Sequence, residues 1–222
     1  MQINAYLVKQ LKLSHQQIKE DINLGYVLID GEIAIQKQEI SIINTINYKQ
    51  DLVQKAKQLF YYAYHKPVGV ESTLNKAIAN NLIEATGIQD YFFPIGRLDK
   101  ASQGLMILTN DGHLYKQIIA IESAIEKKYE VEVDRKIHDD FIISMSEGIV
   151  IMGISTKPCK VRMLNNHTFC ITLVEGRNRQ IRRMCYKLGY EVLVLKRVAI
   201  GKLSLDDLPI GQHKTIMITD II

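Results

Sequence analysis

Apolar positions near the start of the chain follow first a helical and then a strand period. The helical spacing of three and four joins Ile3, Leu7, Val8 and Leu11. This spacing predicts a first helix. Ser14 suits the N-cap of a second helix that carries Ile18 and Ile22 and ends at Gly25. Around Asp30-Gly31, apolar and polar residues alternate in YVLID-GEIAI, which predicts a β-hairpin.

The rest of the chain mixes strand and helix patterns after a polar, lysine-bearing tract. We predict strands over 59–64, 91–95, 104–109, 127–134, 149–152, 158–164, 168–174 and 191–200, and helices over 74–85, 112–120, 138–146 and 177–188. Runs of strand interrupted by isolated helices indicate an α+β fold with a mainly antiparallel sheet flanked by helices. The predicted organisation is a small α+β domain over 1–47, a linker over 48–58 and a second domain over 59–222.

Composition places the chain among ordinary globular proteins. Of its 222 residues, 47% are hydrophobic and 23% are charged. The N-terminus has no basic segment followed by an apolar one, and no apolar run approaches the roughly 18 residues that span a bilayer. We therefore expect a cytoplasmic protein without a membrane partner. The isolated residues Cys159, Cys170 and Cys185 are predicted to be core thiols in a reducing compartment.

Positive charge is concentrated in one segment near the C-terminus. Residues 177–202 hold eight basic side chains against the single acid Glu191, a net charge of +7 in a chain of net charge +4. Such a run is most often a solvated helix face. Because the rest of the chain is mildly acidic, this concentration of positive charge favours a surface that binds a polyanion.

The stretch GRLDKASQGL, residues 96–105, places one carboxylate in a short polar loop between the apolar segments YFFPI and LMILT. A loop aspartate such as Asp99 usually serves turn chemistry. A side chain at this kind of position can also be exposed for catalysis.

Two further segments present side chains of chemical interest. In KKYEVEV, residues 127–133, a strand period places Tyr129 on the inward face with Val131, as in an ordinary core tyrosine. In EGRNRQIRRMCYKLGY, residues 175–190, the apolar stripe of a predicted helix is Ile181, Met184, Cys185 and Leu188. A neighbouring stripe carries Arg179, Arg182 and Tyr186, which can present cations and an aromatic ring together.

Taken in order, these segments resemble the conserved blocks of a known family. GRLDKASQGLMILTNDG, KKYEVEV and EGRNRQIRRMCYKLGYEV are similar to those of the RsuA/RluB/RluE/RluF family of bacterial rRNA pseudouridine synthases. The details GRLDK-SQGL and NRQIRRMC…GYEV most resemble the RluF branch, which modifies large-subunit rRNA. HKPVGV at 65–70 resembles the family's K-P-x-G block, with His65 where asparagine is common. The catalytic resemblance covers roughly residues 60–216.

The N-terminal unit resembles the S4 RNA-binding domain that precedes the catalytic domain in this family. It keeps Ser14, Gly25 and Asp30-Gly31. His15-Gln16-Gln17 stands where a basic pair is usual, so its affinity for phosphate is expected to be lower.

The resemblance implies an isomerase that converts a uridine to pseudouridine without a cofactor or metal ion. The N1–C1′ bond breaks, the base turns, and C5 joins C1′. By resemblance, Asp99 is the nucleophile, Arg182 is its cationic partner, and Tyr129 packs on the target base and assists proton removal from C5. Leu195 matches an apolar position that closes the base pocket.

The remaining implied contacts are with RNA. The target base must leave its stack, and Arg97 could fill the vacated space or hold the neighbouring phosphate. Contacts to the RNA backbone are predicted for Lys66, Arg177, Arg179, Arg183, Lys187, Lys196 and Arg197. The expected partner is large-subunit ribosomal RNA, with transfer RNA or a ribosome assembly intermediate as alternatives, and the expected oligomeric state is a monomer.

Two other functions start from the same residues. A strand followed by D-K-x-S-x-G superficially resembles the D-K-T-G motif of aspartyl-phosphate enzymes, which need Mg²⁺ held by further acids. After Glu175, the only adjacent acidic pair is Asp206-Asp207, in a turn that ends in proline. A degenerate synthase that only binds RNA is the other alternative; the joint presence of Asp99, Tyr129 and Arg182 disfavours it.

Overall fold

A computed structural model describes residues 1–119 and 125–221 of the chain. It divides the chain into two compact units, Met1–Leu59 and Phe60–Ile222. Each unit has hydrophobic core clusters of its own. Within the described residues, no helix is long and apolar enough to cross a membrane.

The first unit packs two helices on a small antiparallel sheet. Its elements are α1 (Ile3–Leu11), α2 (His15–Asn23), β1 (Val27–Ile29), β2 (Glu32–Ile33), β3 (Ile46–Tyr48) and β4 (Asp51–Gln54), with strand order β2-β1-β3-β4. The Ser14 hydroxyl caps α2 by accepting a hydrogen bond from the amide of Gln17. Asp30 and Gly31 have φ angles of 53° and 89°, as a tight two-residue hairpin requires. Both predicted helices and the predicted hairpin are confirmed.

The prediction of a linker over 48–58 is wrong in its first half. β3 and β4 form a hairpin across Lys49-Gln50, whose φ angles are 49° and 76°. Tyr48 and Val53 pack against the core of the first unit. The strands are only three and four residues long, and Leu52 and Val53 are adjacent, so they carry too little hydrophobic alternation to be recognised in the sequence.

The second unit is built on one large sheet. Its strands are β5 (Tyr61–Lys66), β6 (Phe93–Ile95), β7 (Gln103–Thr109), β8 (Lys127–Val133), β9 (Val150–Ile151), β10 (Ile154–Ser155), β11 (Lys160–Asn165), β12 (Thr168–Leu173), β13 (Val192–Ile200), β14 (Leu203–Ser204) and β15 (His213–Thr215). Its helices are α3 (Leu82–Thr86), α4 (Gly112–Ile119), α5 (Asp139–Glu147) and α6 (Gln180–Lys187), and a 3-10 turn covers Ile218–Asp220.

Strand order in the large sheet is β11-β12-β8-β13-β7-β5-β15, with β14 beside β13 and β6 beside β7. Among the described strands, β13 and β7 pair in parallel and every other pairing is antiparallel. The α+β class and the mainly antiparallel mixed sheet are therefore confirmed. β9 and β10 form a separate hairpin.

Two predicted helices begin later than expected. α3 starts at Leu82 because the Asn81 carboxamide accepts from two amides of the first turn, and Asn80 before it has a left-handed φ of 57°. The asparagine-containing tract from residue 74 therefore forms turns. α6 starts at Gln180 because Arg179 has a left-handed φ of 51°. Residue 120, the last of the predicted helix 112–120, lies outside the described residues.

The three cysteines are free thiols. Cys170 and Cys185 are buried and Cys159 is half-buried, as predicted for core residues. Burial raises the pKa of the Cys185 thiol to about 12.

Close contact between β7 and β13 requires a glycine. Gly104 lies opposite Arg197 in the parallel pairing. It has a φ of +118°, and a Cβ added there would lie 2.3 Å from the carbonyl oxygen of Arg197. A side chain would force the two central strands apart, which explains the glycine in the motif GRLDKASQGL.

We expect Gly104→Ala to lower the free energy of unfolding by about 1–3 kcal/mol, through overpacking and backbone strain. Gly112→Ala is the matched control, because Gly112 begins α4 with no atom within 4 Å of an added Cβ. That control should be neutral or slightly stabilising. Urea denaturation of both variants checks this, and equal stabilities would show that the strands can separate without cost.

Candidate active site

Asp99 lies in the loop that joins β6 to β7, residues 96–102, hereafter the Asp99 loop. Its side chain is 33% exposed, and Oδ2 lies 3.7 Å from Nη1 of Arg179. The amide of Ser102 donates to the Asp99 carbonyl at 3.0 Å and closes a turn. The carboxylate is therefore accessible, while the backbone beneath it is folded tightly.

Each carbonyl from Leu98 to Ser102 accepts a hydrogen bond from a residue outside the loop. The donors are the Ser72 hydroxyl to Leu98 at 2.6 Å, the Lys66 amine to Asp99 at 3.3 Å and to Ser102 at 2.8 Å, the Gly69 amide to Lys100 at 2.8 Å, and the Arg182 guanidinium to Ala101 at 2.8 Å. Charged donors form shorter and stronger hydrogen bonds than neutral ones. This set fixes the conformation of the Asp99 loop.

Lys66 is a fully buried cation at the centre of this arrangement. Its side chain is 0% exposed, and Nζ also donates to the Pro67 carbonyl at 2.9 Å. Burial lowers the pKa of Lys66 to about 8, although the nearby charges of Glu71 and Asp99 act in the opposite direction. The prediction that Lys66 contacts RNA phosphates is wrong, because its amine points into the protein and is used by carbonyls.

Arg197 is also inside the protein, so its predicted contact with the RNA backbone is wrong as well. It is 2% exposed, and Nε donates to the carbonyl of Leu105 at 2.7 Å. Its Nη1 lies 3.7 Å from the Cβ that a side chain at Gly96 would have. Arg197 therefore contacts both the start of the Asp99 loop, at Gly96, and the start of β7, at Leu105.

Two arginines near α6 have different surroundings. We expected Arg182 to pair with the Asp99 carboxylate, but the structure places Arg179 beside it. Arg182 instead bridges two backbone carbonyls, from Nη1 to Val192 and from Nη2 to Ala101, each at 2.8 Å. Burial lowers the pKa of Arg182 and Arg179 adds to this effect, while the charge of Asp99 raises it. Arg182 thus acts on Asp99 by position and by charge through space.

Tyr129 is half-buried where two core clusters meet. One contains Leu98, the residue before Asp99, and the other contains Leu195. Tyr129 faces Arg197 across the β8–β13 pairing, in register with Gly104 on β7. The sheet thereby aligns Tyr129, across β13, with the start of β7, where the Asp99 loop ends. Leu195 is 7% exposed and packed in its core cluster.

The other predicted RNA contacts vary in exposure. Arg97 and Lys187 are exposed, and Lys196 is half-buried. Arg183 donates from Nε and Nη2 to Asn178, and Arg177 pairs with Glu175 at 3.2 Å. Among the described residues, no group of three His, Cys, Asp or Glu side chains is arranged to hold a metal ion.

Sequence reasoning missed Ser72 and Gly69 as supports of the Asp99 loop. Ser72 lies 26 residues before Leu98, and its hydroxyl both donates to the carbonyl and accepts from the amide of that residue. No local pattern marks a contact of this range. Gly69 stands in the HKPVGV block, but that block gives no indication of which carbonyl its amide meets.

Chemically, the site offers an accessible carboxylate on a rigid loop with two guanidinium groups nearby. A carboxylate at such a position can act as a nucleophile. The arrangement makes this loop the candidate active site, with its carboxylate accessible from the surface.

Comparisons with known proteins identify the class of enzyme. A sequence profile for RNA pseudouridylate synthase matches residues 60–187. The dual-specificity RNA pseudouridine synthase RluF of Escherichia coli (strain K12) is 37% identical over 224 aligned residues, which cover 100% of this chain and 77% of that protein. The ribosomal small subunit pseudouridine synthase A of Haemophilus influenzae is 28% identical, covering 100% of this chain and 98% of that protein.

A crystal structure of a pseudouridylate synthase superposes with a TM-score of 0.69 at 26% identity, over 99% of this chain and 97% of the other. The chain therefore belongs to the RNA pseudouridine synthase family, and it is an isomerase that converts uridine in RNA to pseudouridine.

The first site prediction concerns the buried cation. Lys66→Met keeps a similar length but leaves the Asp99 and Ser102 carbonyls without their charged donor, so the free energy of unfolding should fall by about 1–3 kcal/mol. Lys100→Met is the matched control, because Lys100 forms only an exposed pair with Glu71 at 3.9 Å, and it should change stability by less than about 0.5 kcal/mol. Chemical denaturation measures both, and unchanged stability in Lys66→Met would show that the Asp99 loop holds its shape without this cation.

The second site prediction separates the two arginines. Arg182→Ala removes the bridge to Val192 and Ala101, so both stability and activity should fall, stability by about 1–3 kcal/mol. Arg179→Ala removes an exposed partner of Asp99, which contributes only about 0–1 kcal/mol to stability, so activity should fall with little unfolding. Denaturation and single-turnover tritium release from 5-tritiated uridine distinguish the two, and a larger stability loss in Arg179→Ala would reverse the assignment.

Proposed function

We propose that this enzyme modifies a uridine of large-subunit ribosomal RNA in the cytoplasm as a monomer, with Asp99 as its nucleophile. The observation that carries the proposal is the Asp99 loop, which presents one carboxylate on a backbone fixed at each carbonyl from Leu98 to Ser102. The rRNA target is supported by the similarity to RluF over the whole chain. That relative's name describes more than one specificity toward RNA, and transfer RNA remains the second candidate target.

In the proposed reaction, the Asp99 carboxylate forms a bond to the ribose or the base while the N1–C1′ bond breaks. The freed uracil turns, C5 bonds to C1′, and the carboxylate is released. The C5 proton leaves, and N1 gains a proton. No electrons are exchanged, and Asp99 returns to its starting form, so its carboxylate must be ionised at the outset.

The cations around Asp99 have two tasks in this proposal. Arg179, whose guanidinium lies 3.7 Å from the carboxylate, attracts and orients it. Arg182 and Lys66 hold the backbone, so that the carboxylate meets the substrate in one orientation. Positioning of this kind contributes to catalysis because the entropy cost of orienting the reacting atoms is already met in the folded protein.

We assign Tyr129 to packing on the target base and to proton removal from C5, and Leu195 to the apolar wall beneath it. The base must first be extruded from its stack, which costs a few kcal/mol and least where the RNA is already looped. The exposed side chains of Arg97 and Lys187 are available to the RNA backbone. The first unit has the helix-helix-hairpin outline of an S4-like domain, which we assign to RNA binding.

Asp99→Asn should abolish tritium release from 5-tritiated uridine in RNA, because a carboxamide is a poor nucleophile. The shape of the side chain is retained, so RNA affinity should change little. Gel-shift titration on the same RNA measures that affinity. Addition of a chelator should leave turnover of folded RNA unchanged.

Turnover by Asp99→Asn at the wild-type rate would show that another group attacks. A strict requirement of the chemical step for Mg²⁺, with the RNA already folded, would favour metal-dependent chemistry at Asp99. Loss of RNA binding together with turnover in Asp99→Asn would assign Asp99 to substrate binding instead.

A further inference from the structure

A groove of about 470 Å³ lies beside α6 in the second unit. Side chains of α6 line one side, and Ile151 and Met152 of the β9–β10 hairpin line another, together with residues 190–192. Its volume falls within the roughly 300–1,000 Å³ typical of pockets that hold small molecules. The groove can therefore accept one flat ligand group.

The groove is continuous with the active site through two arginines. Arg179 and Arg182 both line it. Arg179 also reaches the Asp99 carboxylate, and Arg182 also donates to the Asp99 loop. A substrate bound at Asp99 therefore has its neighbouring nucleotides close to the mouth of this groove.

Tyr186 is the unusual feature of the groove. Its side chain is 80% exposed. By contrast, Tyr190 on the same groove packs its ring on Phe141, with centroids 4.4 Å apart, and donates its hydroxyl to the Lys136 carbonyl. Across the described part of the chain, the Tyr186 side chain makes no ring contact and no hydrogen bond. Its ring presents an aromatic face to whatever enters the groove.

The charge of the groove suits an anionic polymer. Four cations line it, Arg179, Arg182, Arg183 and Lys187, against the single carboxylate of Glu191. Met152, 71% exposed at the hairpin tip, adds an apolar surface. Alternating cations and an exposed aromatic ring match single-stranded nucleic acid, in which phosphates bind cations and bases stack on rings.

We propose that this groove binds an unpaired nucleotide of the substrate RNA that neighbours the target uridine. Its base stacks on Tyr186, and its phosphate is held by Arg183 and Lys187. Extruding the target base leaves the adjacent nucleotide unstacked, and Tyr186 replaces the lost stacking partner. The proposal rests on the RNA-modifying activity of the enzyme and not on which RNA is its target.

The test uses the full chain and a stem-loop fragment of large-subunit rRNA. Tyr186→Ala should raise the Kd of this RNA by about 5-fold to 150-fold, the equivalent of 1–3 kcal/mol for one base stacked on an aromatic ring. KM should rise in parallel, while kcat at saturating RNA stays near the wild-type value. Tyr186→Phe keeps the ring and should bind like the wild type.

Tyr91→Ala is the matched control. Tyr91 is 69% exposed but precedes β6, which runs antiparallel to β7, so it lies at the end of that strand pair away from the Asp99 loop. Its replacement should leave Kd unchanged. A second experiment places an abasic nucleotide at each position beside the target uridine in turn. At one position, the missing base should weaken binding to the wild type but should not weaken binding to Tyr186→Ala any further.

An unchanged Kd in Tyr186→Ala would overturn the proposal, and so would equal losses in Tyr186→Ala and Tyr186→Phe. A loss seen only on protein-containing ribosomal particles would assign the groove to a protein partner and also overturn it. Equilibrium binding does not depend on turnover. Wild-type turnover on the same stem-loop tests the proposed target separately.

Discussion

The candidate active site depends on hydrogen bonds to the backbone carbonyls of the Asp99 loop from two cations, the buried Lys66 and the half-buried Arg182. Removing an ammonium or guanidinium group from water is costly unless strong acceptors surround it. Lys66 meets three carbonyl oxygens, and Arg182 meets two. The loop needs donors and the cations need acceptors, so neither conformation is stable without the other. The backbone of Asp99 is thereby held, while its carboxylate stays 33% exposed beside Arg179.

The sheet brings these cations to the loop from distant parts of the chain. Lys66 ends β5, Arg197 lies in β13, and the Asp99 loop leads into β7 between them. The parallel pairing of β13 with β7 requires close approach at Gly104, where no side chain fits. β13 follows α6, so the same connection also places Arg182 over the loop. A change at Gly104 therefore acts on the active site through the spacing of the strands.

Much of this organisation could be read from the sequence, but the partners of the charged residues could not. Periodicity identified β8, β12 and α5 because each has a regular apolar face. It failed for the β3–β4 hairpin, whose strands are only three and four residues long. The segments that form the site were recognised by their motifs, whereas the burial of Lys66 and Arg197 was not, since a basic residue in a sequence is normally expected in solvent.

The choice between Arg179 and Arg182 shows the same limit. Helical spacing placed Arg179 and Arg182 together on one stripe of a helix. In the structure, Arg179 has a left-handed φ, so α6 begins only after it, at Gln180, and the Arg179 guanidinium lies beside Asp99. One backbone dihedral angle thus decides which guanidinium meets the carboxylate. A local conformation of this kind is set by packing, and the sequence carries little sign of it.

We propose that Asp99 of this protein makes pseudouridine in ribosomal RNA. A pseudouridine map of rRNA and tRNA tests it most directly, compared among cells with the gene, without it, and with an Asp99→Asn copy. We expect a large-subunit rRNA position to lose pseudouridine when the gene is removed. The wild-type gene should restore it, and the Asp99→Asn copy should not. An identical map in all strains, or full restoration by Asp99→Asn, would contradict it.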